Sequence, residues 1–223
     1  MNQSIINFTN IQNSIKENQE ITNNKNNIKI IAVSKTFEIS HINPLIDYGH
    51  TDFGENKVQE AIEKWSDIKL KYQNLSLHLV GKLQTNKTKL ALKIFDYIHS
   101  LDNEKLANKI SEEQKKIDKK PKLFIQVNIG NEDQKSGVNP NNLKSFYKYC
   151  LDKDLDVIGT MCLPPISEDP EKYFMRTNYL NKDLGLNEIS MGMSADYIPA
   201  INNNATFIRV GSKIFGERKK NFK

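Results

Sequence analysis

A short apolar segment decides the fold of this chain; it reads Ile28-Lys29-Ile30-Ile31-Ala32-Val33-Ser34-Lys35. Its β-branched and apolar residues predict a β-strand from Ile28 to Ser34. Lys35 closes the run, so a charged side chain stands where the strand ends. The same pattern, an apolar run followed by polar residues, recurs along the rest of the chain.

Seven further strand-like segments follow, and longer segments with apolar residues at helical spacing lie between them, such as Lys57–Lys71 and Asn103–Ile117. A strand followed by a helix, repeated eight times, predicts an α/β fold, a single (β/α)₈ TIM barrel with parallel strands. A doubly wound open sheet would have the same alternation, and periodicity alone does not exclude it. The eight predicted strands are Ile28–Ser34, Thr51–Gly54, Leu75–Gly81, Tyr97–Leu101, Lys122–Ile129, Leu155–Met161, Asn187–Met191 and Thr206–Val210.

The region before the first strand predicts one extra helix. Residues 1–27 are rich in Asn and carry apolar residues at Ile5, Ile6, Ile11 and Ile15. We expect this helix to cover the bottom of the barrel. No linker, internal repeat or second-domain pattern interrupts the sequence, so residues 1–223 are predicted to form one domain.

Composition places the chain among ordinary globular proteins. It has 223 residues, of which 38% are apolar and 26% charged, which excludes disordered and fibrous classes. No apolar run approaches the ~20 residues of a membrane span, and the first thirty residues contain no apolar core of a secretory signal. We therefore expect a soluble protein of the cytoplasm.

The cysteines and the charge distribution suggest neither a metal site nor a nucleic-acid site. Cys150 and Cys162 lack the short spacing of a metal clip, so we expect two buried apolar side chains and no metal. The net charge of +5 is not accompanied by an aromatic-basic motif, which favours a solvated basic tail over nucleic-acid binding. Much of the excess positive charge lies near the C-terminus, at Lys213, Arg218, Lys219, Lys220 and Lys223.

Candidate functional residues follow the predicted strands, because the loops after the strands of a parallel barrel share one face. A lysine amine desolvated in the barrel mouth, such as that of Lys35, loses its proton more easily than in water, and a neutral amine attacks an aldehyde to form a Schiff base. Taken alone, Lys35 is more commonly a strand-end lysine in solvent. Asn56, after the second strand, either caps the next helix together with Gln59 or faces the barrel mouth.

Two glycine-serine loops carry the most specific pattern. Ser190–Ser194 follows the seventh strand and Arg209–Ser212 follows the eighth, where these barrels commonly bind phosphate. Glycine lets the backbone approach an anion, and serine hydroxyls and helix-start amides donate hydrogen bonds to it. Simple N-caps are the alternative for Ser194 and Ser212. A closed barrel would bring Lys35 beside the eighth strand.

These motifs together resemble those of the pyridoxal phosphate homeostasis proteins of the YggS/PROSC type, and they are similar also to the barrel domain of bacterial alanine racemases. The resemblance extends over nearly the whole chain, in the same order. It implies that Lys35 carries pyridoxal 5′-phosphate (PLP) as a Schiff base and that Arg209 faces the pyridine nitrogen. It also implies that Ser194, Gly211 and Ser212 hold the phosphate with help from Met193. The segments are Ala32–Thr36, Phe53–Asn56, His78–Lys87, Gln126–Asn128, Lys135–Gly137, Ser190–Ser194 and Arg209–Arg218.

The resemblance implies a PLP carrier or regulator without catalytic turnover. PLP enzymes that break bonds at the α-carbon use a protonated pyridine nitrogen, which a guanidinium at Arg209 would oppose. A barrel-closing ion pair is the structural alternative for this arginine. The racemases add a second domain with a tyrosine acid/base, whereas this chain stops at Lys223. We therefore expect a monomer that exchanges PLP with apo-enzymes. Asn56 is included among its predicted cofactor contacts.

Two alternative functions stay open at this stage. A single-domain racemase would use Lys35 and one unidentified base. A Schiff-base aldolase acting on a phosphorylated sugar would need carboxylates in the mouth, for which Glu55 is the candidate. Lys87 and Lys135 are predicted to form a secondary PLP site, a docking or exit site on the rim, and solvated surface lysines are the alternative.

Overall fold

All eight predicted segments form strands, and their ends agree with the prediction to within two residues. The computed structural model, which describes residues 2–132 and 134–217, arranges them as a closed barrel in chain order with every neighbouring pair parallel. Pairing of the first strand with the last confirms the (β/α)₈ barrel and excludes the open sheet. The strands are β1 Lys29–Val33, β2 Asp52–Glu55, β3 Ser76–Leu79, β4 Tyr97–Leu101, β5 Lys122–Val127, β6 Val157–Cys162, β7 Glu188–Met193 and β8 Phe207–Val210.

Helices surround the barrel and bury the apolar faces that their spacing predicts. In one of them, Val58, Ala61 and Trp65 are buried, at intervals of three and four residues. Two single 3₁₀ turns, Thr85–Lys87 and Pro140–Asn142, precede the fourth and sixth helices. The helices are α1 Gln3–Thr22, α2 Ile39–Asp47, α3 Val58–Lys71, α4 Thr88–Ile94, α5 Glu104–Ile117, α6 Leu143–Asp152, α7 Glu171–Asp183, α8 Tyr197–Asn202 and α9 Ser212–Phe215.

The extra helix α1 packs on the side of the barrel. Phe8, Ile11 and Ile15 are buried, and the packing partners of the helix are α2, α8 and α9. Asn7 Nδ2 donates to the Ile214 carbonyl at 3.0 Å. Because α9 has only four residues, α1 fills the place of an eighth outer helix. The expectation that it covers the bottom of the barrel is therefore wrong.

The barrel interior holds its own side-chain cluster, separate from the larger core between strands and helices. Its buried apolar members are Ile31, Val33, Tyr97, Phe124, Met161 and Phe207. Side chains two residues apart on a strand point to the same side. Arg209 therefore lies on the same side of β8 as Phe207.

Both cysteines are buried free thiols, as predicted. Burial raises the pKa of Cys150 to about 12 and that of Cys162 to about 11. In residues 2–132 and 134–217, no cluster of His, Cys, Asp and Glu could hold a metal ion, and no helix there could cross a membrane. The tail residues Arg218, Lys219, Lys220 and Lys223 lie outside the described part of the chain.

Candidate functional site

The carboxyl ends of the strands surround a cavity of about 440 Å³, a volume typical of small-molecule sites. It contains every predicted cofactor contact except Asn56. The loops that follow β1, β7 and β8 thus lie next to one another around this cavity, as expected for a closed barrel. The lining residues are Val33, Lys35, Phe37, Val80, Leu163, Met193, Ser194, Ala195, Arg209, Gly211, Ser212 and Gly216.

The cavity is electropositive. Lys35 and Arg209 are the charged groups among its described lining residues, and this lining includes no carboxylate, imidazole or phenol. Phe37, Val80 and Leu163 add apolar walls. A small anion with a flat apolar body suits this combination of charge and surface.

Lys35 is held at both of its backbone neighbours. Thr36 has a φ of 68°, a left-handed conformation that is unfavourable for a β-branched residue. Its N–H donates to Glu60 Oε1 at 2.7 Å, and Glu60 belongs to α3. This bond fixes the chain direction immediately after the half-buried Lys35.

Three charged residues complete this support, which we call the Lys35 clamp: Glu55, Glu60 and Lys64. Lys64 Nζ donates to Glu55 Oε1 at 2.9 Å, to the Ser34 carbonyl at 3.1 Å and to Glu60 Oε1 at 3.3 Å. Burial opposes ionisation of Glu60, but the Thr36 N–H and the Lys64 charge lower the pKa of its carboxyl. The clamp ties β1 to α3 on both sides of Lys35.

Glu55 serves this clamp and does not line the cavity. Its fully buried carboxylate accepts at Oε1 from Ser34 Oγ at 2.8 Å and from Trp65 Nε1 at 3.0 Å, besides Lys64. The aldolase interpretation needed Glu55 as an acid/base in the mouth. Its position among β1, β2 and α3 gives that interpretation no support.

The two predicted phosphate loops meet across β7 and β8. Ser194 Oγ accepts from the Lys213 N–H at 3.4 Å, which links the loop after β7 to the start of α9. A Cβ at position 211 would lie 3.1 Å from the Val33 carbonyl, so glycine keeps this loop close to β1. Ser212 is exposed at the cavity edge. Hydroxyls and backbone amides of this kind bind phosphate oxygens.

Arg209 is buried, and its guanidinium is fixed at two nitrogens. Nη1 donates to Ser190 Oγ at 2.7 Å, and Nη2 donates to the Cys162 carbonyl at 3.0 Å. Both partners are neutral oxygens, unlike the barrel-closing ion pair considered from the sequence. Burial lowers the guanidinium pKa from its ordinary value, which still leaves it protonated at neutral pH.

Behind Arg209 lies a group of polar residues whose role the sequence did not reveal. Asp52, His78, His99 and Ser190 are all buried and form consecutive hydrogen bonds. We call this set the polar column.

One sequence signal could have indicated part of it. His99 lies two residues after Tyr97 on β4, so both side chains face the interior. A histidine at an interior position of a strand is therefore unusual enough to single out, because barrel interiors are mostly apolar.

The remaining predicted residues lie outside the cavity. Lys57, not Asn56, precedes α3 as its N-cap, and Gln59 bonds Glu63 instead of a capping partner. Asn56 Oδ1 is buried and has no hydrogen-bond partner among the described residues, which leaves an acceptor beside the mouth.

The two rim lysines differ from each other. Lys87 ends the 3₁₀ turn after β3. Lys135 forms an ion pair with Glu132 and contacts the Pro164 carbonyl at 3.4 Å. Lys135 therefore has structural partners of its own on the rim.

Comparison with known proteins gives a consistent family. The sequence model of the alanine racemase N-terminal domain matches residues 6–219. The pyridoxal phosphate homeostasis protein of Aquifex aeolicus (strain VF5) is 38% identical over 205 residues, covering 87% of this chain and 89% of that protein. The protein of the same name from Pasteurella multocida (strain Pm70) is 34% identical over 220 residues, covering 94% of this chain and 93% of that protein.

Solved structures agree with these relatives. PipY of Synechococcus elongatus PCC7942 with PLP bound is 33% identical, with a TM-score of 0.78, over 85% of this chain and 93% of PipY. Alanine racemase of Clostridium difficile 630, at 16% identity and a TM-score of 0.73, shares the fold; the match covers 99% of this chain and 58% of the racemase. The chain therefore belongs to the alanine racemase N-terminal domain family and, within it, to the pyridoxal phosphate homeostasis proteins.

Proposed function

We propose that this protein binds PLP as a Schiff base on Lys35 and acts in PLP homeostasis as a carrier or regulator of the cofactor. The observation that carries the proposal is the electropositive cavity, in which one lysine, one arginine and two glycine-serine loops converge. PipY, the relative described above, is solved with PLP bound. An aldehyde, a phosphate and a flat ring match the three kinds of surface in this cavity.

Each residue would have a distinct role toward the cofactor. The Lys35 amine attacks the PLP aldehyde carbon; a C=N bond forms and the oxygen leaves as water. Ser194, Gly211 and Ser212 supply hydroxyl and amide donors for the phosphate, beside Met193. Arg209 faces the pyridine nitrogen as a donor, and the unpartnered Asn56 Oδ1 is an acceptor for a polar group at the cavity edge.

The lining of the cavity supports a carrier over an enzyme. Two-sided proton transfer at an α-carbon needs a second acid/base opposite the lysine, and the described lining supplies no carboxylate, imidazole or phenol for it. A guanidinium beside the pyridine nitrogen also disfavours its protonation, which carbanion chemistry usually requires. We further propose a monomer in the cytoplasm, where free thiols such as Cys150 and Cys162 stay reduced.

Attachment at Lys35 is tested by absorption and by chemical trapping. Wild-type protein mixed with PLP should develop a visible absorption band, and borohydride should fix the pyridoxyl group on Lys35. Lys35→Ala should remove both signals with a normal circular dichroism spectrum, whereas Lys89→Ala, at an exposed position on α4, should keep them. Recovery of the label on a different lysine would refute the assignment.

Carrier and enzyme differ in α-proton exchange. The PLP-loaded protein in deuterated water should exchange the α-hydrogen of alanine hardly faster than free PLP does, and it should deliver PLP to an apo-enzyme. Rapid, complete racemisation would show a single-domain racemase instead.

The rim lysines are proposed as a secondary site through which PLP leaves. Replacing Lys87 and Lys135 together by alanine should slow transfer to an apo-enzyme and leave the Lys35 absorption band unchanged. Because Lys135 already pairs with Glu132, Glu132→Gln should free this amine and accelerate transfer. Unchanged transfer rates in both variants would mean that these are ordinary surface lysines.

A further inference from the structure

The polar column crosses the barrel interior from β2 to the base of the cavity. Asp52 Oδ1 and His78 Nε2 are 3.0 Å apart, and His78 Nδ1 and His99 Nε2 are also 3.0 Å apart. His99 Nδ1 lies 2.8 Å from Ser190 Oγ. Since Ser190 Oγ accepts from Arg209 Nη1, the column is continuous from a carboxylate to the cavity arginine.

The direction of donation along this chain of contacts depends on the protonation of the two imidazoles. If both imidazoles are neutral and Asp52 is ionised, His78 carries its proton on Nε2 and donates to the carboxylate. His78 Nδ1 is then an acceptor, so His99 must donate from Nε2, and the Ser190 hydroxyl must donate to His99 Nδ1. If His78 were doubly protonated, every bond beyond it would reverse, and Ser190 Oγ would accept from both His99 and Arg209.

The surroundings select the neutral arrangement. Lys29 Nζ lies 3.2 Å from Asp52 Oδ1 and supplies the positive charge that the carboxylate needs. His78 and His99 have no exposed surface; burial lowers the pKa of both imidazoles, and the charge of nearby Arg209 adds to the effect at His99. A second buried cation near Arg209 would be costly.

Ring stacking holds the imidazoles in the required orientation. His78 stacks on Tyr97 with ring centroids 4.3 Å apart at 11°. His99 stacks on Phe124 at 4.4 Å and 17°. Stacking therefore fixes the plane of each ring, and the hydrogen bonds of the column fix which partner each ring nitrogen faces.

We propose that His78, His99 and Ser190 are positioning residues for Arg209, which they hold through a hydrogen-bond column of one polarity that starts at Asp52. In this arrangement the Ser190 hydroxyl gives its proton to His99 and presents a lone pair to Arg209 Nη1. The guanidinium is thereby fixed in one plane at the base of the cavity, where the ring of a cofactor would lie. The proton arrangement stands without a ligand, whereas the effect on the cofactor rests on the proposed function.

The proton arrangement is tested in ligand-free protein by ¹⁵N NMR of the histidine side chains. We expect His78 and His99 as neutral tautomers with the proton on Nε2 at neutral pH. Ser190→Ala should move the His99 Nδ1 resonance, because that nitrogen loses its donor. Either imidazole with a proton on Nδ1 would overturn the proposed polarity, whether the ring is neutral or charged.

The positioning role is tested with matched serine variants. Ser190→Ala should weaken PLP binding by about three- to tenfold, the order expected for losing one hydrogen bond of typical strength, and should shift the absorption maximum of the bound cofactor. Ser100→Ala removes an equally buried hydroxyl that has no partner in the described structure, and it should change neither property.

The outcomes separate the two proposals. Equal binding and equal spectra for Ser190→Ala and wild type would refute the positioning role. Failure of the wild type to bind PLP would refute the proposed function, and the tautomers in ligand-free protein would still decide the polarity of the column. If Ser190→Ala does not fold, the wild-type NMR measurement still decides the polarity of the column. Ser190→Thr retains the hydroxyl and should then bind PLP like the wild type. A loss of PLP binding in Ser190→Thr would refute the positioning role of Ser190.

Discussion

At the scale of single residues, Thr36 has the unfavourable backbone conformation next to Lys35. Its left-handed backbone persists because the Lys35 clamp bonds the residues on both sides of the lysine. Glu60→Ala should lower the free energy of unfolding by about 1 kcal/mol, since the Thr36 N–H loses its charged acceptor, and should weaken PLP binding. Glu60→Gln retains an acceptor and should lose less.

The matched control for this variant is Glu63→Ala. Glu63 is exposed on the same helix and bonds only Gln59 among the described residues, so urea denaturation should show a change below about 0.5 kcal/mol. Equal losses for Glu60→Ala and Glu63→Ala would mean that the Thr36 bond does not support the site.

Asp52 should make the free energy of unfolding depend on pH between about pH 4 and pH 2. Burial opposes its ionisation, but the hydrogen bond from His78 and the charge of Lys29 lower the carboxyl pKa from 3.8 to about 2. The folded state therefore favours the ionised form of Asp52. Above pH 4 this preference adds about 2 kcal/mol to the free energy of unfolding, and the contribution is lost as the pH falls through 2.

The measurement compares wild type with Asp52→Asn. The difference in unfolding free energy should be largest at pH 6 and should shrink between pH 4 and pH 2. The lowered pKa values of His78 and His99 make both proteins less stable as the pH drops below 6.5. Because Asp52 raises the pKa of His78, the two proteins are compared in the window from pH 4 to pH 2, where the carboxylate itself titrates. A difference that is constant with pH would contradict the prediction.

The sequence indicated the residues whose role follows from local position, and it missed those defined by pairing across the barrel. Lys35, Ser194 and Ser212 could be singled out because each lies within two residues of the end of a strand. The partnership of His78 with His99 depends on the register of β3 and β4, which no local pattern encodes. For the same reason, the resemblance indicated Arg209, but its bonds to Ser190 and Cys162 appear only in the fold.

At the scale of elements, β7 and α8 approach each other closely at Gly192. This residue has a φ of 88°, and a Cβ there would lie 2.6 Å from Ala200 Cβ and 3.0 Å from Tyr197 Cα. Gly192→Ala combines an unfavourable φ with a steric clash, so we expect a loss of about 2–4 kcal/mol in unfolding free energy. PLP binding should weaken as well, because the loop that carries Ser194 would shift.

Gly185→Ala separates the effect of an unfavourable φ from the effect of a steric clash. Gly185 has a φ of 70°, and a Cβ added there would have no neighbour within 4 Å, so only the conformational cost of about 1 kcal/mol should appear. Urea denaturation and PLP titration of both variants check the prediction. A loss for Gly185→Ala as large as that for Gly192→Ala would show that β7 and α8 are not closely packed.

Element boundaries show where local chemistry was a poor guide. The strands were predictable because their apolar runs are long and bounded by polar residues. The start of α3 was not, because Asn56 followed by Gln59 matches a capping pattern while the helix begins one residue later, after Lys57. The close approach of Gly81 to the Asn56 carbonyl, where a Cβ would lie at 2.3 Å, shows that packing between β2 and β3 places this turn.

At the scale of the whole molecule, α1 completes the outer layer of helices. Ile11 is 3% exposed, so Ile11→Ala should lower the unfolding free energy by about 2–4 kcal/mol. Ile21, on the same helix, is 84% exposed, and Ile21→Ala should change it by less than about 0.5 kcal/mol. Denaturation in urea compares the two, and equal effects would mean that α1 does not dock on the barrel.

The global fold was the part most open to prediction, since eight alternating units predict a parallel α/β fold, and the pairing of β1 with β8 then decides between the barrel and the open sheet. The placement of α1 was not, because an amphipathic helix reveals which face it buries and not which surface covers that face. What decides its position is the shortness of α9, which leaves a space between α8 and α2.

The contact between α1 and α9 also means that α1 is synthesised well before one of its packing partners. Asn7 and Ile214 are 207 positions apart, and at ribosomal rates of about 5–20 residues per second roughly 10 to 40 s separate their appearance. Throughout that time the apolar stripe of Phe8, Ile11 and Ile15 lacks its partners on α8 and α9. Helix α1 thus emerges from the ribosome long before it can be fully buried, and the nascent chain offers chaperones a binding segment until the eighth strand closes the barrel.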